Sequence, residues 1–297
     1  MRKPLARIAT AATAAGVMVI GLGATASAAS ARAAPASGGH AVRVTSDAHS
    51  LHFSTTRVHE GRIKFRISTT NSNGIDLVMF RLHRGVSFAK LDADLQEEFD
   101  PATAAKGTRD LTRDVTFYGL ADAQPGTPVT ATVNLEDGTY YATDTNSPAL
   151  PTAQSVTRLH VLEGGNERSE RGLARHHLAS VSMTSRDRFV VRGRLPAHGS
   201  VLVKNVSDTI HFMDLQRVAA GTTDAQVQAY FDSGVDSPPT FVMDGPGVST
   251  DVMSPGKQLV LGYKLPRGTY VLLCFIADDA TGMFHAGMGM HKVVVLG

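Results

Sequence analysis

Residues 268–297 read GTYVLLCFIADDATGMFHAGMGMHKVVVLG, and this segment has the pattern of two strands joined by a loop. An apolar run rich in β-branched side chains leads to Cys274, and a second one, KVVVL, closes the chain at 292–296. Runs of this length and composition predict β-strands. The loop between them holds His285 and Met290. The sequence therefore places a thiol, an imidazole and a thioether near one end of a predicted strand pair.

Short alternating runs of the same kind recur from residue 40 onward. Gly, Pro, Asn and Asp separate them, and examples are RIKFRIS at 62–68, VTATVN at 129–134, SVLVKN at 200–205 and QLVLGYK at 258–264. This alternation with a period of two predicts an all-β fold, either a sandwich or a barrel.

The order of these runs predicts an internal duplication. Each half contains one predicted helix, at 87–99 in the first half and after the capping box Thr223-x-x-Gln226 in the second. A long loop and a Gly-Thr-Tyr sequence follow each helix, starting at Gly138 and at Gly268. Two tandem copies of one β-domain, each with a short helix insertion, explain this order.

The predicted boundaries follow from local composition. A polar, charged stretch at 163–177 is typical of an exposed linker, so the first repeat is expected at 40–162 and the second at 178–297. At the N-terminus, basic residues, an apolar run and an Ala-Ser-Ala site predict a signal peptide over 1–28. The small residues of 29–39 predict a flexible lead-in. We therefore expect a secreted protein without membrane contact after cleavage.

Composition excludes several classes of partner and site. The formal net charge is only +2, and three of the basic residues lie in the predicted leader. Because nucleic-acid binding requires clustered Lys and Arg, we expect no nucleic-acid partner. The single cysteine excludes an internal disulfide and a four-cysteine zinc site. The acidic pairs at 97–98 and 278–279 are expected to be exposed.

Four side chains of the second half form a candidate metal site. His211 lies in an alternating, strand-like run at 209–215, Cys274 ends a strand, and His285 and Met290 follow in the loop. One thiolate, two imidazoles and a thioether are the ligand set of a mononuclear blue-copper site. The soft thiolate suits Cu(I) and the imidazoles suit Cu(II), so this mixture favours a copper ion that cycles between the two states.

The pattern Gly-x-Tyr-x-x-x-Cys, then His, then Gly-Met before the last strand, resembles the cupredoxin superfamily. The loop is similar to that of the type 1 copper domain in copper nitrite reductases. The resemblance covers residues 178–297, whereas in the first repeat it is only architectural. It implies tandem Greek-key β-sandwiches, one copper ion in the C-terminal domain, and single-electron exchange with a redox partner protein. The ligands that it implies are His211, Cys274, His285 and Met290, with Met288 as the alternative axial ligand.

The second half departs from the family pattern at two points. The interval from His211 to Cys274 is longer than in compact cupredoxins, because a helix and a Pro-rich loop intervene. Phe212 follows His211, where many family members have Asn.

The two neighbours of the cysteine indicate whether further, catalytic copper centres are expected. Nitrite reductases with two such domains have a histidine directly before this cysteine, and laccase-type oxidases have histidines on both sides. Here the neighbours are Leu273 and Phe275. We therefore expect neither a type 2 nor a trinuclear copper centre, and we predict that the chain is not an enzyme.

Two other functions stay open at this point. The chain could be a metal-free structural or ligand-binding sandwich, or it could sequester Cu(I) with the Met and His residues of 283–291. The first repeat lacks the ligands, since Asp144 stands near the position of the cysteine, and Ile75 and Asp76 stand near that of the upstream histidine. We expect that repeat to be structural or to bind a partner.

Overall fold

The computed structural model describes residues 41–47, 50–146, 155–164, 179–185, 187–234 and 239–297. Within these ranges the chain forms seventeen β-strands and three short α-helices, so the predicted all-β class is confirmed. The predicted signal peptide (1–28), the lead-in (29–39) and most of the predicted linker lie outside the described residues. None of the described helices combines the length and the apolar character needed to cross a membrane.

The first half consists of nine strands and a pair of helices. Buried and less buried side chains alternate along two of its core strands, as the period-two sequences predict. The elements are β1 (Ala41–Ser46), β2 (Leu51–Phe53), β3 (Arg57–His59), β4 (Gly61–Thr69), β5 (Ile75–Leu82), α1 (Phe88–Phe99), α2 (Ala104–Asp114), β6 (Val115–Ala123), β7 (Val129–Leu135), β8 (Gly138–Asp144) and β9 (Thr157–Leu162).

The second half has eight strands and one helix. The helix begins at the predicted capping box, in which the hydroxyl of Thr223 accepts a hydrogen bond from the backbone N–H of Gln226 at 3.2 Å. The elements are β10 (Ser180–Thr184), β11 (Arg188–Arg192), β12 (His198–Asn205), β13 (Asp214–Arg217), α3 (Asp224–Asp232), β14 (Val248–Ser249), β15 (Gln258–Lys264), β16 (Gly268–Leu273) and β17 (His291–Leu296).

The two halves pair their strands in the same scheme. In the first half β1 pairs with β4 in parallel, and β4–β7, β5–β8 and β8–β9 are antiparallel. In the second half β10 pairs with β12 in parallel, and β12–β15, β13–β16 and β16–β17 are antiparallel. We keep the internal duplication as a proposal, and these matched pairings support it.

One sheet runs through both halves. Its eight strands are ordered β11-β10-β12-β15-β7-β4-β1-β2, and the antiparallel pairing of β7 with β15 joins the halves. Each half adds a second sheet, β3-β9-β8-β5-β6 in the first and β14-β13-β16-β17 in the second. Tyr140 and Tyr270, both fully buried, belong to one hydrophobic core that draws on both halves. The burial of this shared apolar surface stabilises both halves together.

The first half contains two helices where the sequence predicted one. Helix α1 begins after Ser87, whose hydroxyl accepts from the backbone N–H of Lys90 at 3.1 Å, so this prediction is confirmed. Helix α2 was missed because its sequence, AAKGTRDLTRD, is mostly polar and contains a glycine. That glycine, Gly107, lies where a Cβ would overlap the backbone of Glu98, so it allows the two helices to pack closely.

The helix pair of the first half packs against the loop between β16 and β17. The guanidinium of Arg109 donates a hydrogen bond to the carbonyl oxygen of Asp279. Gly282 lies beside the start of α2, where an added Cβ would be in van der Waals contact with the backbone nitrogen of Ala105 at 3.5 Å. The first half therefore forms one wall of the region that carries the candidate site.

Candidate metal centre

The loop between β16 and β17 folds back on the end of β16. Cys274 directly follows this strand, and its carbonyl oxygen accepts from the N–H of Ala286 at 2.8 Å. The N–H of His285 donates to the carbonyl oxygen of Ile276 at 3.0 Å, and the carbonyl of His285 accepts from Met290 at 2.8 Å. These backbone bonds bring the predicted loop histidine back beside the cysteine.

His211 reaches the same place from another part of the second half. The predicted strand at 209–215 is shorter than expected, since β13 begins at Asp214 and His211 lies in an isolated bridge with Met253. Two backbone hydrogen bonds, of 3.2 and 2.8 Å, hold this bridge.

A buried amide fastens the segment that carries this histidine. Asn205, at the end of β12, donates to the carbonyl oxygens of Thr209 at 2.8 Å and Met253 at 2.7 Å. The Oδ1 atom of Asn205 accepts hydrogen bonds from the backbone N–H of Ser207 at 3.0 Å and from the hydroxyl of that residue at 2.6 Å. Because Asn205 is fully buried and fully bonded, it fixes both Thr209, two residues before His211, and Met253, the bridge partner of His211.

The structure brings three of the predicted ligands together. The Nδ1 atoms of His211 and His285 lie 3.1 Å apart, and each lies 3.7 Å from the Sγ atom of Cys274. All three side chains are fully buried. A point in the plane of these atoms lies about 2 Å from each of them, close to the length of metal–nitrogen and metal–thiolate bonds. The donors therefore form a triangle of the size that one transition-metal ion requires.

The ionisation of these groups also fits a metal site. Burial lowers the pKa of His211 to about 3, with a smaller effect of neighbouring His285, and lowers the pKa of His285 to about 4. Both imidazoles are therefore neutral at pH 7, as metal ligands must be. Their Nε2 atoms are buried without a hydrogen-bond partner among the described residues. Such orphaned polar atoms indicate a site built for something beyond packing.

The thiol is the group that binding must deprotonate. Burial raises the pKa of Cys274 to about 12, against the opposing effect of hydrogen bonds from the backbone N–H groups of Phe212 and Ile276. Those two donors are aimed at the sulfur, so they stabilise a thiolate once a cation compensates for the burial. A soft thiolate with two imidazoles and a nearby thioether fits copper.

The two candidate axial methionines differ in their surroundings. Met290 is fully buried. The sulfur of Met288, which is only partly buried, accepts a hydrogen bond from the hydroxyl of Thr281 at 3.8 Å. The burial of Met290 is compatible with its role as axial ligand, which stays a prediction.

The sequence did not predict one acidic residue at the site, and the predicted exposure of two others was wrong. The Oδ1 atom of Asp187, in the turn between β10 and β11, lies 3.7 Å from Nε2 of His285 and 3.8 Å from Nε2 of His211. Glu98 and Asp278, which were predicted to be exposed, are buried. No local motif marks these residues, because their positions depend on which elements pack against the loop.

In the first half the equivalent positions carry a different chemistry. The carboxylate of Asp144, near the position of the cysteine, accepts a hydrogen bond from the backbone N–H of Asp76 at 3.0 Å. Ile75, which precedes Asp76 in the sequence, is fully buried. The structural role of this repeat stays a prediction, and this backbone contact is compatible with it.

Comparisons with known proteins give weak similarities. No protein-family model and no curated protein match this chain. Among solved structures, dithionite-reduced auracyanin from Roseiflexus castenholzii is 20% identical, with a TM-score of 0.26, over 40% of this chain and 94% of its own. Auracyanin A, a blue copper protein from Chloroflexus aurantiacus, is 12% identical, with a TM-score of 0.24, over 40% and 98%. A multicopper oxidase from Campylobacter jejuni is 10% identical, with a TM-score of 0.23, over 81% and 54%. We therefore infer function from the residues of the site itself.

The prediction that the chain is not an enzyme is corrected by these comparisons. Several of the similar structures are multicopper oxidases, which are enzymes with cupredoxin-like domains. The identities of Leu273 and Phe275 bear only on copper centres that use those two positions. A fold hosts several functions, so a non-enzyme assignment does not follow from it.

Replacement of Asn205 by Ala should destabilise the protein strongly. The change removes four hydrogen bonds and leaves the carbonyl oxygens of Thr209 and Met253 without this buried donor. We expect the free energy of unfolding to fall by about 3 kcal/mol, measured by urea denaturation.

Asn71, which follows β4 in the first half, provides a control at a less buried asparagine. Its side chain accepts one hydrogen bond, from the backbone N–H of Asn73 at 3.1 Å, and it is only partly buried. Asn71→Ala should cost about 1 kcal/mol or less. Equal losses for the two variants would contradict the role given to Asn205.

Glu98 should make stability depend on pH. Burial raises its pKa from the ordinary value of 4.5 to about 7, although a hydrogen bond from the backbone N–H of Ala277 acts in the opposite direction. Between these values the unfolded chain has lost the proton that the folded protein still holds. The contribution to stability is therefore fully present below pH 4.5, falls as the pH rises to about 7 and stays low above it, a change of about 3 kcal/mol.

Glu98→Gln removes this titration while keeping the shape of the side chain. Chemical denaturation at pH 4 and pH 8 should show a variant that is more stable than the natural protein at pH 8, with a smaller difference at pH 4. The control is Glu97→Gln, whose carboxylate is partly exposed and paired with Lys106 at 2.5 Å. A Glu98→Gln variant with the same pH dependence as the natural protein would show that Glu98 is not the titrating group.

Proposed function

We propose that this chain is an exported, cupredoxin-like protein that carries single electrons at one mononuclear type 1 copper site in its second half, residues 178–297. The observation that carries the proposal is the buried triangle of one Sγ and two Nδ1 atoms, with sides of 3.7, 3.7 and 3.1 Å. The donors come from places far apart in the sequence, so their meeting around one point supports a binding site.

Four side chains of the second half would bind the copper ion. His211, Cys274 and His285 would hold the ion, and Met290 would supply a fourth, weaker ligand. A bound copper supplies a one-electron couple between Cu(II) and Cu(I). The thiolate favours the reduced state and the imidazoles suit the oxidised one, so one ligand set serves both.

The fold keeps the ligands in nearly the same place in both states. Backbone hydrogen bonds fix His211 to Met253 and His285 to Ile276. The three ligand side chains are fully buried, which keeps water away from the site. A rigid, dry site needs little rearrangement when its charge changes, and this property favours fast electron transfer.

Two further features agree with a carrier that meets a redox partner outside the cytoplasm. Phe284, adjacent in sequence to His285, is half exposed and offers apolar surface for a protein contact. The leader at 1–28 has the pattern of an export signal.

The Met and His residues of 283–291 do not favour Cu(I) sequestration by a single sulfur cluster. Met283 is 57% exposed, whereas Met290 is fully buried. Their side chains therefore face different surroundings.

Titration of the metal-free protein with Cu(II) tests the proposal. We expect an intense visible absorption from thiolate-to-copper charge transfer that saturates at one equivalent. Because the thiol is protonated at pH 7, binding should release about one proton per copper in an unbuffered titration.

Cys274→Ser should abolish the visible band, and His198→Ala, at an exposed histidine of the same half, should retain it. Circular dichroism would show that both variants fold. A natural protein that stays colourless at equimolar copper would contradict the proposal and favour the metal-free module.

A further inference from the structure

Asp187 faces both candidate imidazole ligands from the side opposite the cysteine. The Nδ1 atoms of His211 and His285 point towards the sulfur of Cys274, and their Nε2 atoms point away from it. The same carboxylate oxygen of Asp187 lies 3.8 and 3.7 Å from these two Nε2 atoms. Both Nε2 atoms are buried and have no hydrogen-bond partner among the described residues. A single carboxylate oxygen thus lies within 4 Å of two buried ring nitrogens, and a carboxylate oxygen of Asp278 lies within 4.8 Å of a ring nitrogen of His285.

The residue after Asp187 contacts the loop between β16 and β17, which carries His285. Asp187 has a φ of 49°, in the left-handed region, and its N–H donates to the carbonyl oxygen of Thr184 at 2.9 Å. The neighbouring Arg188 donates from its guanidinium to the carbonyl oxygen of Met288 at 3.0 Å. Gly289 lies so close that an added Cβ would be 3.1 Å from the same guanidinium. Arg188, the residue after Asp187, is therefore held against the loop between β16 and β17.

The chemistry of a neutral imidazole requires such an acceptor. A histidine that binds metal through Nδ1 carries its proton on Nε2, and a buried N–H needs a hydrogen-bond acceptor. A carboxylate offers about four lone-pair sites, so one side chain can accept from two imidazoles. The observed separations exceed a hydrogen bond by less than about 1 Å, which a small rotation of an aspartate side chain covers.

We propose that Asp187 positions both ligand imidazoles by accepting the Nε2–H of each when copper is bound, and that its negative charge lowers the reduction potential of the site. This inference rests on the proposed copper site. Its consequence is that loss of the carboxylate weakens Cu(II) binding more than Cu(I) binding, because the more highly charged ion gains more from a nearby anion.

The test compares Asp187→Asn with Asp208→Asn in copper-loaded protein. Asp208 is an exposed carboxylate near enough to influence Asp187 electrostatically, but within the described residues it forms no ion pair or hydrogen bond with either imidazole. Cu(II) and Cu(I) affinities are measured by competition with chelators, and the reduction potential by voltammetry.

We expect Asp187→Asn to keep a visible band and to bind Cu(II) about 10-fold to 100-fold more weakly. Each tenfold fall in the ratio of Cu(II) to Cu(I) affinity should raise the potential by about 59 mV. Asp208→Asn should stay within about twofold of the natural protein. Asp187→Gly, which also tolerates a positive φ, should show the same shift and serves if the Asn variant misfolds.

Two outcomes would overturn the inference, and only the second would also overturn the proposed copper site. If the natural protein shows the thiolate band while Asp187→Asn and Asp208→Asn have the same affinities and potential, the role of Asp187 is wrong and the copper site stands. If the natural protein itself shows no band with Cu(II), both the proposed function and this inference fail.

Discussion

The candidate site depends on the way in which the loop after β16 is folded back by backbone hydrogen bonds. The bonds from Ala286 to Cys274 and from His285 to Ile276, of 2.8 and 3.0 Å, return the chain to the cysteine after a ten-residue excursion. They leave the side chains of Cys274 and His285 on the same side, facing His211. Without this local constraint, two ligands of the proposed copper would have no fixed distance between them.

The first half supplies support although it lacks the predicted ligands. It shares a sheet with the second half through β7 and β15, and its helix pair covers the loop between β16 and β17. Glu98 is buried at this contact, where it accepts from the backbone N–H of Ala277. A duplication that keeps one half as scaffold and the other as site would account for this division of work.

The sequence predicted those parts of the site that local pattern determines. Cys274 and His285 were predicted as ligands because one ends a predicted strand and the other follows in the next loop. The structure places them together with His211. Asp187 and the burial of Glu98 were not predictable, because they arise from contacts between elements that are distant in sequence. Helix α2 was missed for a related reason: its polar sequence and Gly107 suit packing against α1 and not an isolated helix. The failed non-enzyme prediction relied on two positions beside one cysteine, which cannot define the chemistry of a whole fold.

X-ray absorption spectroscopy of the copper-loaded protein would identify the atoms around the ion. We expect two nitrogen neighbours and one sulfur neighbour at about 2.0–2.3 Å, the distances that the buried triangle allows. A shell that contains only nitrogen and oxygen, with no short sulfur distance, would contradict this expectation.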